Sequence, residues 1–255
     1  MSSIDINADL GESSERLENG SDIELMRYIT SASIACGGHA GDKSIMRRTL
    51  AAARELGLAV GAHPGYPDHK NFGRVELRMP AKALEQTVRE QMTALIDLAT
   101  PIGLQISYVK PHGALYHSAS RNLEVAFALA CAVQAVDSRL VLVGQTGSAA
   151  FEAGLAMGLR CAAEAFADRM YESDGSLRKR TLEGALIESP ERAAQQALDI
   201  ALKRAITLPN GCVLPVTAET ICIHSDTPGA ARIACAVQEE LRAAGICVQA
   251  LRQSA

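Results

Sequence analysis

The chain has 255 residues, 48% of them hydrophobic, 21% charged and 4% aromatic, with a formal net charge of -4. That much apolar surface excludes a disordered or low-complexity chain. The charge balance gives no basic footprint for nucleic acid, and no charge-free stretch approaches the ~18 residues of a membrane span. Met1-Ser2-Ser3-Ile4-Asp5 has neither the basic region nor the apolar run of a signal peptide. The expectation is a cytoplasmic protein with no nucleic-acid or membrane partner. Arg178-Lys179-Arg180 is too short for a nucleic-acid patch and reads as a solvated loop. The seven cysteines, an odd number with no C-x-x-C pair, read as reduced core residues, Cys131, Cys235 and Cys247 among them.

Ile4 to Leu10 alternates strictly, which predicts a strand with Ile4, Ile6, Ala8 and Leu10 on one face and Asp5, Asn7 and Asp9 on the other. A helix is expected from about Asp22 to Ile29, then a short apolar run from Ser33 to Cys36 ending in Gly37-Gly38-His39. Asp42 is placed to cap a helix carrying Ile45, Met46, Thr49, Leu50 and Ala53 that stops at Gly57. Leu58 to Ala62 reads as a strand ending in His63-Pro64, and a long loop from Gly65 to Met79 follows. Pro80 opens a helix with the stripe Leu84, Val88, Met92, Leu95 and Ile96. Gln105 to Val109 is a strand ending in Lys110-Pro111-His112-Gly113, followed by a helix around 122–136. Leu140 to Val143 and Arg160 to Ala163 are strands separated by a helix near 148–157. After Glu164 a long loop carries Asp168, Arg169, Tyr171 and Asp174, and Ser189 caps a helix with Pro190 in its first turn. Thr220 to Ile223 is a strand ending in His224-Ser225-Asp226, and a helix near 228–244 and a strand from Cys247 to Leu251 close the chain.

Strand–helix alternation of this kind implies a parallel sheet with right-handed crossovers, either a closed barrel or an open doubly wound sheet. Asp9 and Glu12, His39 and Asp42, His63, Lys110 and His112, Glu164 and Asp168, and His224 and Asp226 all follow predicted strands. A barrel opens every carboxyl end onto one mouth, whereas an open sheet serves its site from two or three strands. The pattern therefore favours an α/β barrel, read as one domain over residues 1–255, and barrels of ~250 residues are common.

In a barrel, Asp5, Asn7 and Asp9 point into the lumen, where unpaired acids are expensive; the alternative is an edge strand with a solvated face. Glycines around His39 permit close backbone approach. Gly41-Asp42-Lys43-Ser44 lacks the Gly-Lys junction of a phosphate loop. Asp9, His39 and His63 offer a carboxylate and two imidazoles, a set suited to a divalent ion, although no short ligand spacing supports it. Lys110 and His112 put a cation and a proton carrier two residues apart; a lysine here can hold a carboxylate, act as a base or stay a surface residue. Asp168-Arg169 reads either as a structural ion pair or as part of the site. His224 and Asp226 can pair a base with its orienting acid. No G-x-S-x-G element marks a serine triad, and His69 and His117 read as solvated or structural.

Several blocks carry a family likeness: Asp5-Ile6-Asn7-Ala8-Asp9-Leu10-Gly11-Glu12, Ala35 to Asp42, Gly61-Ala62-His63-Pro64, Phe72-Gly73-Arg74, Val109 to Tyr116, Glu164 to Arg169 with Tyr171, Asp174-Gly175, and Cys222 to Asp226. In this order and over nearly the whole chain the sequence resembles the LamB/YcsF family. One departure is Ser225, where the family usually has glycine between His and Asp. The resemblance implies a distorted seven-stranded parallel β/α barrel related to polysaccharide deacetylases. It implies ATP-dependent hydrolysis of 5-oxoproline to L-glutamate with two partner subunits, B and C. It also adds weight to a divalent metal at Asp9, His39 and His63, the ligand set of deacetylase-type barrels. The residues expected to carry the chemistry are Asp9, His39, His63, Lys110 and His112, with Asp9 or His112 as base. Asn7, Glu12, Asp168, Arg169, His224 and Asp226 are expected to bind substrate, Lys110 and Arg169 meeting its carboxylate or developing negative charge. With no nucleotide motif in the chain, ATP is expected to be held largely by the partners. The competing readings are a stand-alone metal-dependent hydrolase or deacetylase and a non-catalytic subunit that captures the substrate.

Overall fold

A computed structural model describes residues 3–251. In chain order its elements are β1 (Ser3–Leu10), α1 (Ser14–Glu18), α2 (Ser21–Met26), β2 (Ser31–Ala35), α3 (Lys43–Glu55), β3 (Ala59–His63), α4 (Ala81–Ala99) and β4 (Ile106–Val109). Next come α5 (Gly113–Arg121), α6 (Leu123–Val136), β5 (Val141–Gly144), α7 (Ala149–Ala156), β6 (Cys161–Phe166) and α8 (Pro190–Leu198). The short strands β7 (Ala205–Thr207) and β8 (Val213–Pro215) precede β9 (Thr220–Cys222), α9 (Ala230–Ala243) and β10 (Cys247–Val248).

The strands pair in parallel in the order β1-β2-β3-β4-β5-β6-β9, and β9 returns to β1 through Asp5↔Thr220 and Asn7↔Cys222, closing a seven-stranded barrel. The last predicted strand forms, but β10 meets only Ser3 and Ile4 of β1 and stays outside the ring. Along β1, Ile4, Ile6, Ala8 and Leu10 join the main apolar core, while Asp5, Asn7 and Asp9 are only 2%, 1% and 5% exposed. The edge-strand alternative is thereby excluded, because the polar face points into the lumen.

The lumen is filled in two halves. Tyr108, Val141, Val143 and Ala162 form a small apolar cluster apart from the main core, with Leu251 packed against it. The Tyr108 hydroxyl is 3.0 Å from Ser33 Oγ on the facing strand. Gly61 makes room for that ring, since a Cβ there would overlap it. Above this plug the lumen is polar.

Helix signals in the sequence hold where a side chain caps the backbone. Asp42 accepts from Ile45 N at 2.8 Å, and Ser189 accepts from Arg192 N at 3.3 Å. Helix α5 lies outside the expected elements; it opens on Gly113, a poor helix former, and its His117, Ser118 and Ser120 blur the apolar stripe. The β7–β8 hairpin is likewise outside them, each strand being only three residues long. All seven cysteines are free. Cys247, expected in the core, is instead exposed, because β10 is an outer strand. No helix among the described residues is long and apolar enough to cross a membrane.

Gly61→Ala should push a methyl into the Tyr108 ring and destabilise the fold by about 1–3 kcal/mol. A lower urea midpoint with an unchanged slope is the expected result; an unchanged midpoint would remove Tyr108 from the lumen.

Candidate active site

The polar half of the lumen is organised around Lys110, which leaves β4 and is 2% exposed. Its ammonium lies 2.8 Å from Asp9 Oδ1 and 2.9 Å from Glu164 Oε1, and it donates to Asn7 Oδ1 at 2.9 Å. It also donates to Cys222 Sγ at 3.0 Å, so its three protons are shared between Asn7, Cys222 and the two carboxylates that pair with its charge. Asn7 is fixed in turn, donating to Glu164 Oε1 at 3.1 Å and Thr220 Oγ1 at 2.7 Å. Burial alone would favour neutral Lys110, but the carboxylates around it, Asp9 foremost, hold it well above the usual lysine range. Burial also opposes ionisation of Asp9, yet His63 and Lys110 hold its carboxyl well below the usual range. Asp9 is therefore a permanent anion at the cavity floor.

Across from it stands His224. Its Nδ1 lies 3.0 Å from Asp168 Oδ1, and Asp168 Oδ2 accepts from His224 N at 3.0 Å and Thr227 Oγ1 at 2.6 Å. The acid orienting His224 is Asp168 on the preceding loop. Asp226, the acid expected from sequence, turns away to the rim, where it accepts from Arg74 at 2.6 Å and from Arg180 at 2.7 Å. A ring nitrogen of His224 lies within 4.8 Å of an Asp9 carboxylate oxygen. The Phe166 ring stacks on His224 at 5.4 Å and restrains it.

Beside Asp9, Glu12 gathers three imidazoles. Its Oε1 is 3.1 Å from His39 Nε2, 3.2 Å from His112 Nδ1 and 3.9 Å from His63 Nε2. His63 Nδ1 donates to the Lys110 carbonyl at 2.7 Å, and His112 Nε2 donates to the Phe72 carbonyl at 2.9 Å. These two bonds turn His63 Nε2 and His112 Nδ1 toward each other at 3.0 Å. Two lone pairs beside a carboxylate need something positive between them, either a proton on His63 or a divalent cation. His39 stacks face to face on His112 at 3.6 Å, and burial pushes its imidazole down to about 3, so it stays neutral. Its Nδ1 is buried without a partner.

Glu12, His39, His63 and His112 offer ligand atoms within 4.8 Å of one another. Tetrahedral zinc with bonds of about 2.0–2.1 Å spaces its ligands about 3.3 Å apart, close to the distances here. Imidazoles anchored by backbone carbonyls are also what metal sites use to orient their ligands. The residues fit a divalent ion, with Glu12 and His112 in place of the single carboxylate, Asp9, of the expected trio.

Of the residues expected from sequence, Asp9, Glu12, His63, Lys110, His112, Arg169, His224 and Asp226 line one cavity of about 840 Å³. Asn7, His39 and Asp168 support it from behind. Sequence reasoning missed the rim. Arg178, Lys179 and Arg180 line the same cavity rather than a free loop, and His117 and Arg121 join them from α5. The only signal was the basic run itself. Glu164, noted as a strand end, proves to be a second counter-charge to Lys110.

Acid and base groups gathered at the C-terminal mouth of a parallel barrel define a β/α-barrel enzyme. The chain belongs to the LamB/YcsF family, whose model matches residues 4–255. It is 48% identical over 252 residues to the A-type subunit of 5-oxoprolinase from Chloroflexus aggregans, covering 99% of this chain and 100% of that one. It is 42% identical to the A-type subunit of 5-oxoprolinase from Bacillus subtilis, over 99% and 98% of the two chains. A solved structure described as a lactam utilization protein from Thermus thermophilus superposes with a TM-score of 0.91 at 40% identity, covering 98% of this chain and 100% of that one.

Zinc titrated into the purified chain should bind at one site, raise the melting temperature and release protons. Glu12→Gln and His112→Ala should each abolish that binding; calorimetry showing no uptake by the unmodified chain would dismiss the cluster as a metal centre. A second outcome concerns Asp168. Its carboxyl is buried, and against that burial His224 and Thr227 hold it below the usual range. It stabilises the fold above the unfolded value of about 3.9, and that contribution is lost as pH falls through the lower folded value. Asp168→Asn should lower the urea midpoint at pH 7, and the gap to the parent chain should narrow at about pH 3.

Proposed function

We propose that this chain is the lactam-opening subunit of an ATP-dependent 5-oxoprolinase, converting 5-oxoproline to L-glutamate with partner subunits B and C. The names of its full-length relatives support the cyclic-amide substrate, and their lettering as one subunit among several supports a multi-subunit enzyme. The observation that carries the reading is the opposition of Asp9 and His224 at the cavity floor, within 4.8 Å of each other. Each is oriented by a buried partner of opposite charge type, Lys110 for Asp9 and Asp168 for His224.

The roles follow from hydrogen bonding. Both nitrogens of His112 are engaged, with Phe72 and with the His63–Glu12 group, so Asp9 is the base. His224 commits Nδ1 to Asp168 and keeps its other nitrogen to protonate the leaving amine. An aspartate held well below its usual range is a weak base. A resting lactam would not yield to it, but an activated one would. This supports coupling to ATP: the lactam oxygen attacks the γ-phosphorus, an O–P bond forms and the bond to ADP breaks. Water then adds to the ring carbon and gives its proton to Asp9. The C–N bond breaks as His224 protonates nitrogen, leaving a γ-glutamyl phosphate that a second water cleaves to glutamate and phosphate. A divalent ion held by Glu12, His63 and His112, with His39 behind, would supply Lewis-acid polarisation beside this centre.

With the two partner subunits present, Asp9→Asn should lower turnover by about 10²–10⁴-fold, the usual worth of general acid–base catalysis. Glutamate and ADP are followed together, and circular dichroism checks that the variant folds. Parent-level rates in that variant would take Asp9 out of the mechanism. Glutamate formation by the isolated chain with zinc and no ATP would instead favour a stand-alone metal-dependent hydrolase.

A further inference from the structure

The cavity is far larger than a five-membered lactam carrying one carboxylate. Its volume of about 840 Å³ lies in the upper part of the ~300–1,000 Å³ range of sites for drug-sized ligands. Its two ends also differ in charge. The floor holds Asp9 and Glu12, already matched by Lys110 and imidazoles. The outer wall is cationic, in a chain whose overall charge is negative.

Arg178 is matched by Glu172 at 3.0 Å, but the other cations of that wall outnumber their counter-ions. Arg74 and Arg180 share the single carboxylate of Asp226, which leaves one positive charge over. Arg121 and Lys179 form no ion pair with any described residue, and neither does Arg169. Arg121 donates only to the His117 carbonyl of its own helix, at 3.2 Å. Arg169 is 4% exposed, donates through one terminal nitrogen to the Arg178 carbonyl at 2.7 Å, and keeps a buried Nε without a partner. An unmatched, desolvated guanidinium donor is costly unless an acceptor arrives. Together these groups present a concave array of charged donors, the arrangement that recognises multiply charged oxyanions.

We infer that Arg121, Arg169, Lys179 and Arg180 form a polyphosphate subsite, so that this chain itself grips the phosphates of the nucleotide cosubstrate beside the Asp9–His224 pair. The inference rests on the proposed ATP-dependent reaction for the identity of the ligand, but not for the existence of the subsite. It departs from the expectation that ATP is held largely by the partners. His117 sits within this field. Partial enclosure, with Arg169 and Arg121, pushes the exposed His117 imidazole below its ordinary range, and a bound polyanion would raise it.

The test uses the isolated full-length chain and three probes: inorganic tripolyphosphate, magnesium ATP and 5-oxoproline. Calorimetry should show tripolyphosphate binding that weakens as salt is raised. Arg121→Gln and Lys179→Gln, both at exposed positions that leave the fold intact, should each weaken it by about tenfold or more. Arg242→Gln on the far helix α9 should not. The His117 resonance, followed by NMR, should titrate at higher pH when tripolyphosphate is present. No tripolyphosphate binding, or binding indifferent to both substitutions, would overturn the inference. So would 5-oxoproline binding that depends on Arg121 and Lys179 while tripolyphosphate does not bind, since the cations would then read the substrate carboxylate. Turnover by the assembled enzyme is scored separately: phosphate binding without 5-oxoproline turnover would sink the proposed reaction and leave the subsite standing.

Discussion

The buried ammonium of Lys110 is the contact on which the site depends. It sits among Asp9, Glu164 and Asn7, with Cys222 Sγ also 3.0 Å away. Desolvating so many charged groups is tolerable only because each is matched at hydrogen-bond distance; removing one partner of such a set costs about 3–5 kcal/mol. The same match keeps Asp9 ionised and aims it. The residues proposed to carry the chemistry are thus also residues that hold the barrel's polar half together, joining β1, β4, β6 and β9 across the lumen.

Around this centre the loop after β3 does a second job. Phe72 adopts φ 54°, an uncommon conformation for a residue with a side chain, and Gly73 follows at φ 61°. Such backbone costs of order 1–3 kcal/mol and persists where the surroundings demand it. Here the Phe72 carbonyl orients His112, and a Cβ on Gly73 would lie 2.6 Å from His39 Cβ. Gln91 of α4 pins the start of the same loop, donating to the Gly65 carbonyl at 2.8 Å and accepting from its N–H at 3.0 Å. Strain and anchoring together hold the imidazoles stacked beside Glu12.

From floor to rim the cavity passes from a committed anion, through an aspartate-anchored imidazole, to unmatched guanidiniums. A weak base at one end suits an electrophile already activated, and free cations at the other suit the anion that activates it. The proposed reaction and the proposed phosphate subsite are therefore two readings of one electrostatic gradient. Lys110 bears on this too. Enclosed by Asp9, Glu164, Asn7 and Cys222, it supports the base, which leaves Arg169 as the better placed of the two cations for an incoming negative charge.

Much of this was legible in the amino-acid order. The strict alternation of Ile4 to Leu10 set the polar face of β1, because a strand repeats every two residues whatever surrounds it. Polar residues recurring after successive strands implied a common mouth, and Asp42 and Ser189 marked helix starts through local hydrogen bonds. What the order of residues could not convey was pairing across the ring. His224 takes Asp168 rather than its near neighbour Asp226, Glu12 and His112 complete the imidazole group, and Arg178-Lys179-Arg180 folds over the cavity. Local propensity acts over a few residues, whereas Asp168 and His224 are 56 positions apart and Glu12 and His112 are 100. Only closure of the barrel brings them within reach, so only the tertiary structure decided which charge meets which.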